Sequence, residues 1–249
     1  MNTVWIVLPI LVVLMFQLGI ELDGRAFLRV ARSPRAVAAG LIGQLAVLPA
    51  AAFGVAALFD LEPVWFLGLM LVACCPGGSS SNVFTMLSRG DVALSVTLTA
   101  LSSLVTLFTL PALMAFAAHW VSLYAGAEIE LPVGRLVVQN IVLLFLPMAC
   151  GTAFRRWRPR AAQRVYRAVG RIAFPALMLL AGLFFVQYAQ TIVDNFALLG
   201  AASATLILAA TGAGALLARL FGLGSAVRRT IVIEVGMQNS GLATSLAGA

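Results

Sequence analysis

The sequence predicts an all-α integral membrane fold with an internal inverted repeat, and three observations predict it. First, 62% of the 249 residues are hydrophobic, only 10% are charged and the mean hydropathy is +1.04. A soluble domain carries about 25% charged residues. Second, the apolar residues fall into eight runs, most near the ~20 residues that carry a helix across a bilayer. Third, two of those runs are interrupted by glycine and polar residues. The runs are too long for the strands of a membrane barrel and lack its inside–outside alternation.

The first helix is expected over 3–20 and the second over 34–59, with Gln44 midway along it. The third, 63–87, is broken at Pro76-Gly77-Gly78 and restarts at Ser79-Ser80-Ser81-Asn82. Proline removes a backbone donor and paired glycines favour a break. Broken backbone at membrane depth survives only against protein or a polar cavity. A half-helix restarting there aims its free N–H groups and positive dipole end at that cavity. The fourth helix, 92–118, carries Ser95, Thr99, Ser102, Ser103 and Thr106 on one face. For these hydroxyls, as for Gln44, ordinary interhelical bonding competes with a binding role. His119 and Trp120 fall at its outer end as interfacial anchors.

The fifth helix spans 136–154, the sixth 172–188, the seventh 196–220, and the eighth runs from about 227 to the end of the sequence. The eighth is broken in turn at Glu234-Val235-Gly236-Met237-Gln238-Asn239-Ser240-Gly241. Glu234 is the one acidic residue deep in any run. A carboxylate there costs at least about 2.5 kcal/mol and must face a partner or a cavity.

Loop charge sets the orientation. Arg25, Arg29, Arg32, Arg89, Arg155, Arg156, Arg158, Arg160, Arg164, Arg167, Arg219, Arg228 and Arg229 lie in the odd loops. Asp60, Glu62, Glu128, Glu130 and Asp194 lie in the even ones, with Arg135 beside them. The odd loops are therefore expected in the cytoplasm and the N-terminus outside. All sixteen basic residues are arginine, and this topological distribution argues against nucleic-acid binding. Cys74, Cys75 and Cys150 lack zinc spacing and read as small buried filler.

The third and eighth helices run in opposite directions. Two interrupted helices so related mark an inverted-repeat transporter with its site at the bilayer midplane. Matching them pairs helices one to four with six to nine, so a ninth is expected and the sequence reads as C-terminally truncated. Glu234, Gln238, Asn82, Gln44, Ser95 and Thr99 supply oxygen donors without imidazole or thiolate. One carboxylate among neutral oxygens suits a monovalent ion such as Na⁺ better than Ca²⁺ or Zn²⁺, and a proton on Glu234 is the alternative. The spans lack an Asp pair, a Ser–His pair or a metal set, which argues against an enzyme.

The motifs Pro76-Gly77-Gly78-Ser79-Ser80-Ser81-Asn82-Val83-Phe84-Thr85, Arg89-Gly90-Asp91-Val92-Ala93-Leu94-Ser95 and Glu234-Val235-Gly236-Met237-Gln238-Asn239-Ser240-Gly241 resemble those of the bile acid:sodium symporters. So does Leu18-Gly19-Ile20-Glu21-Leu22 ahead of an arginine-rich loop. The resemblance covers essentially the whole chain, as a bacterial, inner-membrane member. It implies a panel domain (about 3–20 and 136–188), a core domain (about 34–118 and 196–249), and a crossing of the broken helices in the core. It further implies two sodium ions: one on Ser81, Asn82, Ser95, Thr99 and Glu234, the other on Gln44, Glu234, Gln238 and the carbonyls of Val235 and Met237. Ser79 and Asn239 would face the substrate. The activity implied is sodium-coupled symport of an organic anion, bile-acid-like or a small carboxylate, by alternating access. A proton-coupled or sodium-independent anion carrier, or a non-transporting membrane sensor, are the alternatives.

Overall fold

Proline and glycine place the interruptions. The structure of the protein, a computed structural model, describes residues 4–21, 32–125 and 133–247. Helix α1 (Val4–Glu21) is followed by α2 (Pro34–Leu58) and then by α3 (Pro63–Cys74) and α4 (Ser79–Leu87), the halves of the first interrupted helix. Next come α5 (Val92–Ala125), α6 (Val133–Asn140, continuing through Leu146–Trp157) and α7 (Pro159–Gln187). A short α8 (Ala189–Asp194) and α9 (Phe196–Leu220) precede the second interrupted helix, α10 (Ser225–Gly236) and α11 (Ser240–Ala247). Arg25, Arg29, Glu128 and Glu130 lie outside the described residues.

Two helices are continuous but locally widened. α2 and α6 each contain a five-residue π-helical stretch, Gly43–Val47 and Ile141–Phe145, directly before a Leu-Pro pair. A proline cannot donate to the carbonyl four residues back. The residue before it, Leu48 or Leu146, donates instead to the carbonyl five residues back, at Gly43 or Ile141. Such widenings recur at functional sites, and Gln44 sits in the first.

Two boundaries differ from the sequence expectation. Positions 155–167 are not a loop: α6 runs to Trp157, Arg158 alone separates it from α7, and Arg160, Arg164 and Arg167 ride on α7. Proline is pre-shaped for a first turn and arginine is a good helix former, so both helices extend past the apolar stretch. α5 likewise continues to Ala125, which puts His119 and Trp120 inside it. Trp120 stacks on Tyr124 with ring centroids 4.3 Å apart and meets Phe53 edge-on at 5.2 Å.

Among the described residues four helices are long and apolar enough to cross a membrane: Pro34–Leu58, Val92–Tyr124, Gly134–Trp157 and Phe196–Leu220. The interrupted helices are split into pieces of 12 and 9, and 12 and 8, residues, each too short alone. The chain is an all-helical, multi-pass membrane protein.

The helices pack in two groups. α1 lies along α6 and α7, while α2, α3, α5, α9 and α10 pack on one another with α4 against α5. Between the groups, α5 packs on α6 and α1 touches α11. Glycine sets the α1–α6 spacing: a Cβ on Gly19 would fall 2.0 Å from the Met148 carbonyl oxygen, and one on Gly151 would fall 2.1 Å from that of Phe16. Small residues let membrane helices approach this closely. Gly151→Val is expected to force the pair apart at a cost of about 1–3 kcal/mol or more. A thermal melt in detergent checks this, and an unchanged midpoint would refute it.

Candidate functional site

The two interruptions meet. The Asn239 N–H donates to the Pro76 carbonyl at 2.9 Å, and Gly77 pairs with Gln238 in a single antiparallel bridge. Backbone groups freed by the proline and glycines of one break thus find partners in the other.

Glu234, on the last turn of α10, is fully buried beside this crossing. Its Oε1 accepts from the Ser81 hydroxyl at 2.5 Å and from the Ser95 hydroxyl. Its Oε2 accepts from Gln44 Nε2 and from the Thr99 hydroxyl, both at 3.2 Å. Gln44 Nε2 also reaches the Glu234 carbonyl at 2.8 Å. The Ser95 hydroxyl stands between Glu234 and Asn82, 2.7 Å from Asn82 Oδ1. Four elements therefore converge: the π-widened turn of α2, the first turn of α4, the first two turns of α5 and the end of α10. No cationic side chain pairs with Glu234 among the described residues.

On the far side of Glu234, Gln238 Nε2 donates to the Val235 carbonyl at 3.1 Å and the Glu234 carbonyl at 3.3 Å. Gln238 Oε1 and Gln44 Oε1 are left buried without a hydrogen-bond partner. A buried acceptor without a donor is costly, and a hard cation satisfies such oxygens directly. Met237 follows in extended conformation, φ −125° and ψ 106°.

The structure thus gathers Gln44, Ser81, Asn82, Ser95, Thr99 and Glu234 and sets Gln238 and the Val235 carbonyl next to them. It separates the rest of the α5 hydroxyl stripe: Ser102, Ser103 and Thr106 bond back to carbonyls of their own helix at 3.1, 2.6 and 3.1 Å. Asn239 caps α11, its Oδ1 accepting from the Leu242 N–H at 3.0 Å. Ser79 opens α4, and its side chain lies outside the described ones.

Two participants escaped sequence reasoning. A Cβ on Gly77 would lie 2.8 Å from Glu234 Oε2, 2.9 Å from Gln44 Nε2 and 3.4 Å from the Thr99 hydroxyl, so this glycine's missing side chain gives the carboxylate its room. The Pro-Gly-Gly run announces a break but not which glycine faces the site. Glu21 is the other, accepting from Asn82 Nδ2 at 3.3 Å. It closes an apolar helix beside a charged loop, and nothing in that pattern distinguishes it from a boundary residue.

The loop between α4 and α5 ties the end of α4 and the start of α5 to α10. Arg89 takes a left-handed conformation, φ 57°, and the Gly90 N–H closes α4 on the Thr85 carbonyl at 2.8 Å. Asp91 Oδ1 then caps α5 by accepting from the Leu94 N–H at 3.0 Å, while the Asp91 N–H donates to the Thr230 hydroxyl of α10 at 2.8 Å. Arg229 of α10 donates to the Arg89 carbonyl at 2.9 Å.

Residues 8–195 match the Sodium Bile acid symporter family. The chain is 34% identical over 214 residues to "Probable sodium/metabolite cotransporter BASS1, chloroplastic" of Arabidopsis thaliana, covering 86% of this chain and 52% of that one. It is 32% identical over 247 residues to "Uncharacterized sodium-dependent transporter YocS" of Bacillus subtilis, covering 95% and 72%. To "Ileal sodium/bile acid cotransporter" of Homo sapiens it is 28% identical over 241 residues, covering 95% and 67%. The chain spans about half the length of several relatives it matches.

Proposed function

The chain belongs to the sodium bile acid symporter family, and from that premise we propose that it is a sodium-coupled symporter of an organic anion. One observation carries the reading. A fully buried carboxylate, Glu234, has no cationic side chain beside it among the described residues, and two buried amide oxygens next to it lack donors. An isolated buried charge is too costly to keep, and captured sodium ions compensate it. One ion is held by Ser81, Asn82, Ser95, Thr99 and Glu234. The second is held by Gln44, Glu234, Gln238 and the carbonyls of Val235 and Met237. A proton on Glu234 would leave the Gln44 and Gln238 oxygens without partners, which favours the ion over proton coupling.

In this reading α1, α6 and α7 form the panel and the other long helices form the core of an inverted repeat of eight spans in the inner membrane, with the N-terminus outside. Sodium enters from outside, neutralises Glu234 and holds the two interrupted helices together. The half-helix starts at Ser79 and Asn239 then face an organic anion with N–H groups and positive dipole ends. Movement of core against panel releases both inward. Coupling requires that the ions favour the anion-competent state over the other. An inside-negative potential adds about 2.3 kcal/mol per net charge per 100 mV.

Flux into proteoliposomes tests the reading: a panel of bile salts and small carboxylates is offered under a sodium gradient and again under potassium. Uptake under sodium alone is expected, and uptake that follows a pH gradient while ignoring sodium would refute it. Asn239→Asp keeps the cap on Leu242 but sets a negative charge where the anion binds. It is expected to raise the KM for the anion at least about tenfold while leaving the sodium half-saturation in place. The reverse pattern would remove Asn239 from the anion site.

A further inference from the structure

We propose that Glu21 is a positioning residue for Asn82, and the point at which the ion site grips the α1–α6–α7 group of helices. The inference rests on the sodium-coupled reading above. Glu21 is the last residue of α1, and two side chains from other helices donate to its carboxylate. The Tyr166 hydroxyl of α7 donates to Oε1 at 3.1 Å, and Asn82 Nδ2 of α4 donates to Oε2 at 3.3 Å. Arg155 of α6 donates to the Ile20 and Glu21 main-chain carbonyls at 2.9 and 3.1 Å, closing the C-terminus of α1 with a cation.

Asn82 therefore has two faces. Its Oδ1 belongs to the Ser95–Glu234 cluster and its Nδ2 belongs to Glu21. The Glu21 contact fixes which end of the amide turns toward the cluster, so an oxygen and not an NH₂ group is presented there. An ion on Oδ1 withdraws electron density from the amide and makes Nδ2–H a stronger donor toward a carboxylate. Ion capture and the Asn82–Glu21 contact then reinforce each other, and by linkage the effect is reciprocal. Because Glu21 is carried on α1 and braced by α6 and α7, this contact transmits ion occupancy from one group of helices to the other.

The test is the sodium half-saturation of the thermal shift, measured on the purified full chain in detergent with potassium as the control salt. Glu21→Ala is expected to raise it about tenfold, and Tyr166→Phe, which removes one brace, about threefold. Glu21→Gln keeps an acceptor oxygen for the Asn82 amide and is expected to stay within about threefold of the parent chain. Combining Glu21→Ala with Asn82→Ala should be no worse than Asn82→Ala alone, since both act through one ligand. The proposal is overturned if Glu21→Ala leaves the half-saturation unmoved, or if the two substitutions add in full. Where Glu21→Ala does not fold, an unmoved half-saturation in Tyr166→Phe overturns it. A parent chain without any sodium-dependent shift would overturn the symport reading as well, whereas a parent shift with unmoved variants overturns this inference alone.

Discussion

Glu234→Ala is expected to eliminate the sodium response while leaving the protein folded. The carboxylate is the common member of both proposed ion sites, so its loss removes the one anionic ligand from each. Deleting one partner of a buried charge pair costs about 3–5 kcal/mol, which lowers sodium affinity at least about a hundredfold. The fold survives for a specific reason. Ser81 retains the Gly78 carbonyl at 2.7 Å and Ser95 retains Asn82 Oδ1 at 2.7 Å, so two of the three hydroxyls released from Glu234 still have acceptors. Gln44 Nε2 keeps the Glu234 backbone carbonyl at 2.8 Å. Thermal melts of the variant in sodium and in potassium should therefore coincide, at a midpoint no lower than that of the parent chain in potassium. A surviving sodium-dependent shift would end the two-site scheme.

Gly77→Ala is expected to do comparable damage without altering any charge. Gly77 does not adopt a positive φ, so an alanine meets no conformational penalty and the effect is one of space. The added methyl would arrive 2.8 Å from Glu234 Oε2 and 2.9 Å from Gln44 Nε2, where carbon–oxygen contact needs well over 3 Å. The carboxylate must turn away, which spoils the geometry at the Gln44 and Thr99 side. Sodium half-saturation should rise at least about tenfold, as overpacking costs about 1–3 kcal/mol. Gly78→Ala is the control: a Cβ there comes no closer than 3.3 Å to any neighbour, the nearest being the Ser80 hydroxyl. Equal losses in both variants would show that the break is merely fragile, and an unaffected Gly77→Ala would show that the glycine does not shape the site.

The breaks were legible because their chemistry is local. Proline and paired glycines stop a helix wherever they sit, and α9 falls on 196–220 as expected because its apolar run is uninterrupted. The oxygen cluster was legible for a different reason. A buried carboxylate requires partners, and the polar residues within the apolar runs were few enough to name Gln44, Asn82, Ser95 and Thr99. What stayed hidden depends on distance in the chain. Gln44 and Glu234 are 190 residues apart, and only the packing of α2 on α10 shows which amide atom faces the carboxylate. The hydroxyl stripe of α5 could not be divided from periodicity, because Thr99 and Ser103 share a face and differ only in what lies opposite them. Glu21 was hidden by its position, since a glutamate at the edge of a span is the commonest of sequence features.

One consequence follows from the way the crossing is stitched. The Pro76–Asn239 hydrogen bond and the Gly77–Gln238 pairing are main-chain contacts, and at the bilayer depth proposed for the site lipid offers no substitute for them. Pulling that seam open would strand donors and acceptors at several kcal/mol each. A hinge cannot fall there. In the proposed transport cycle this main-chain junction moves as one piece, and the change of shape is taken up elsewhere in the fold.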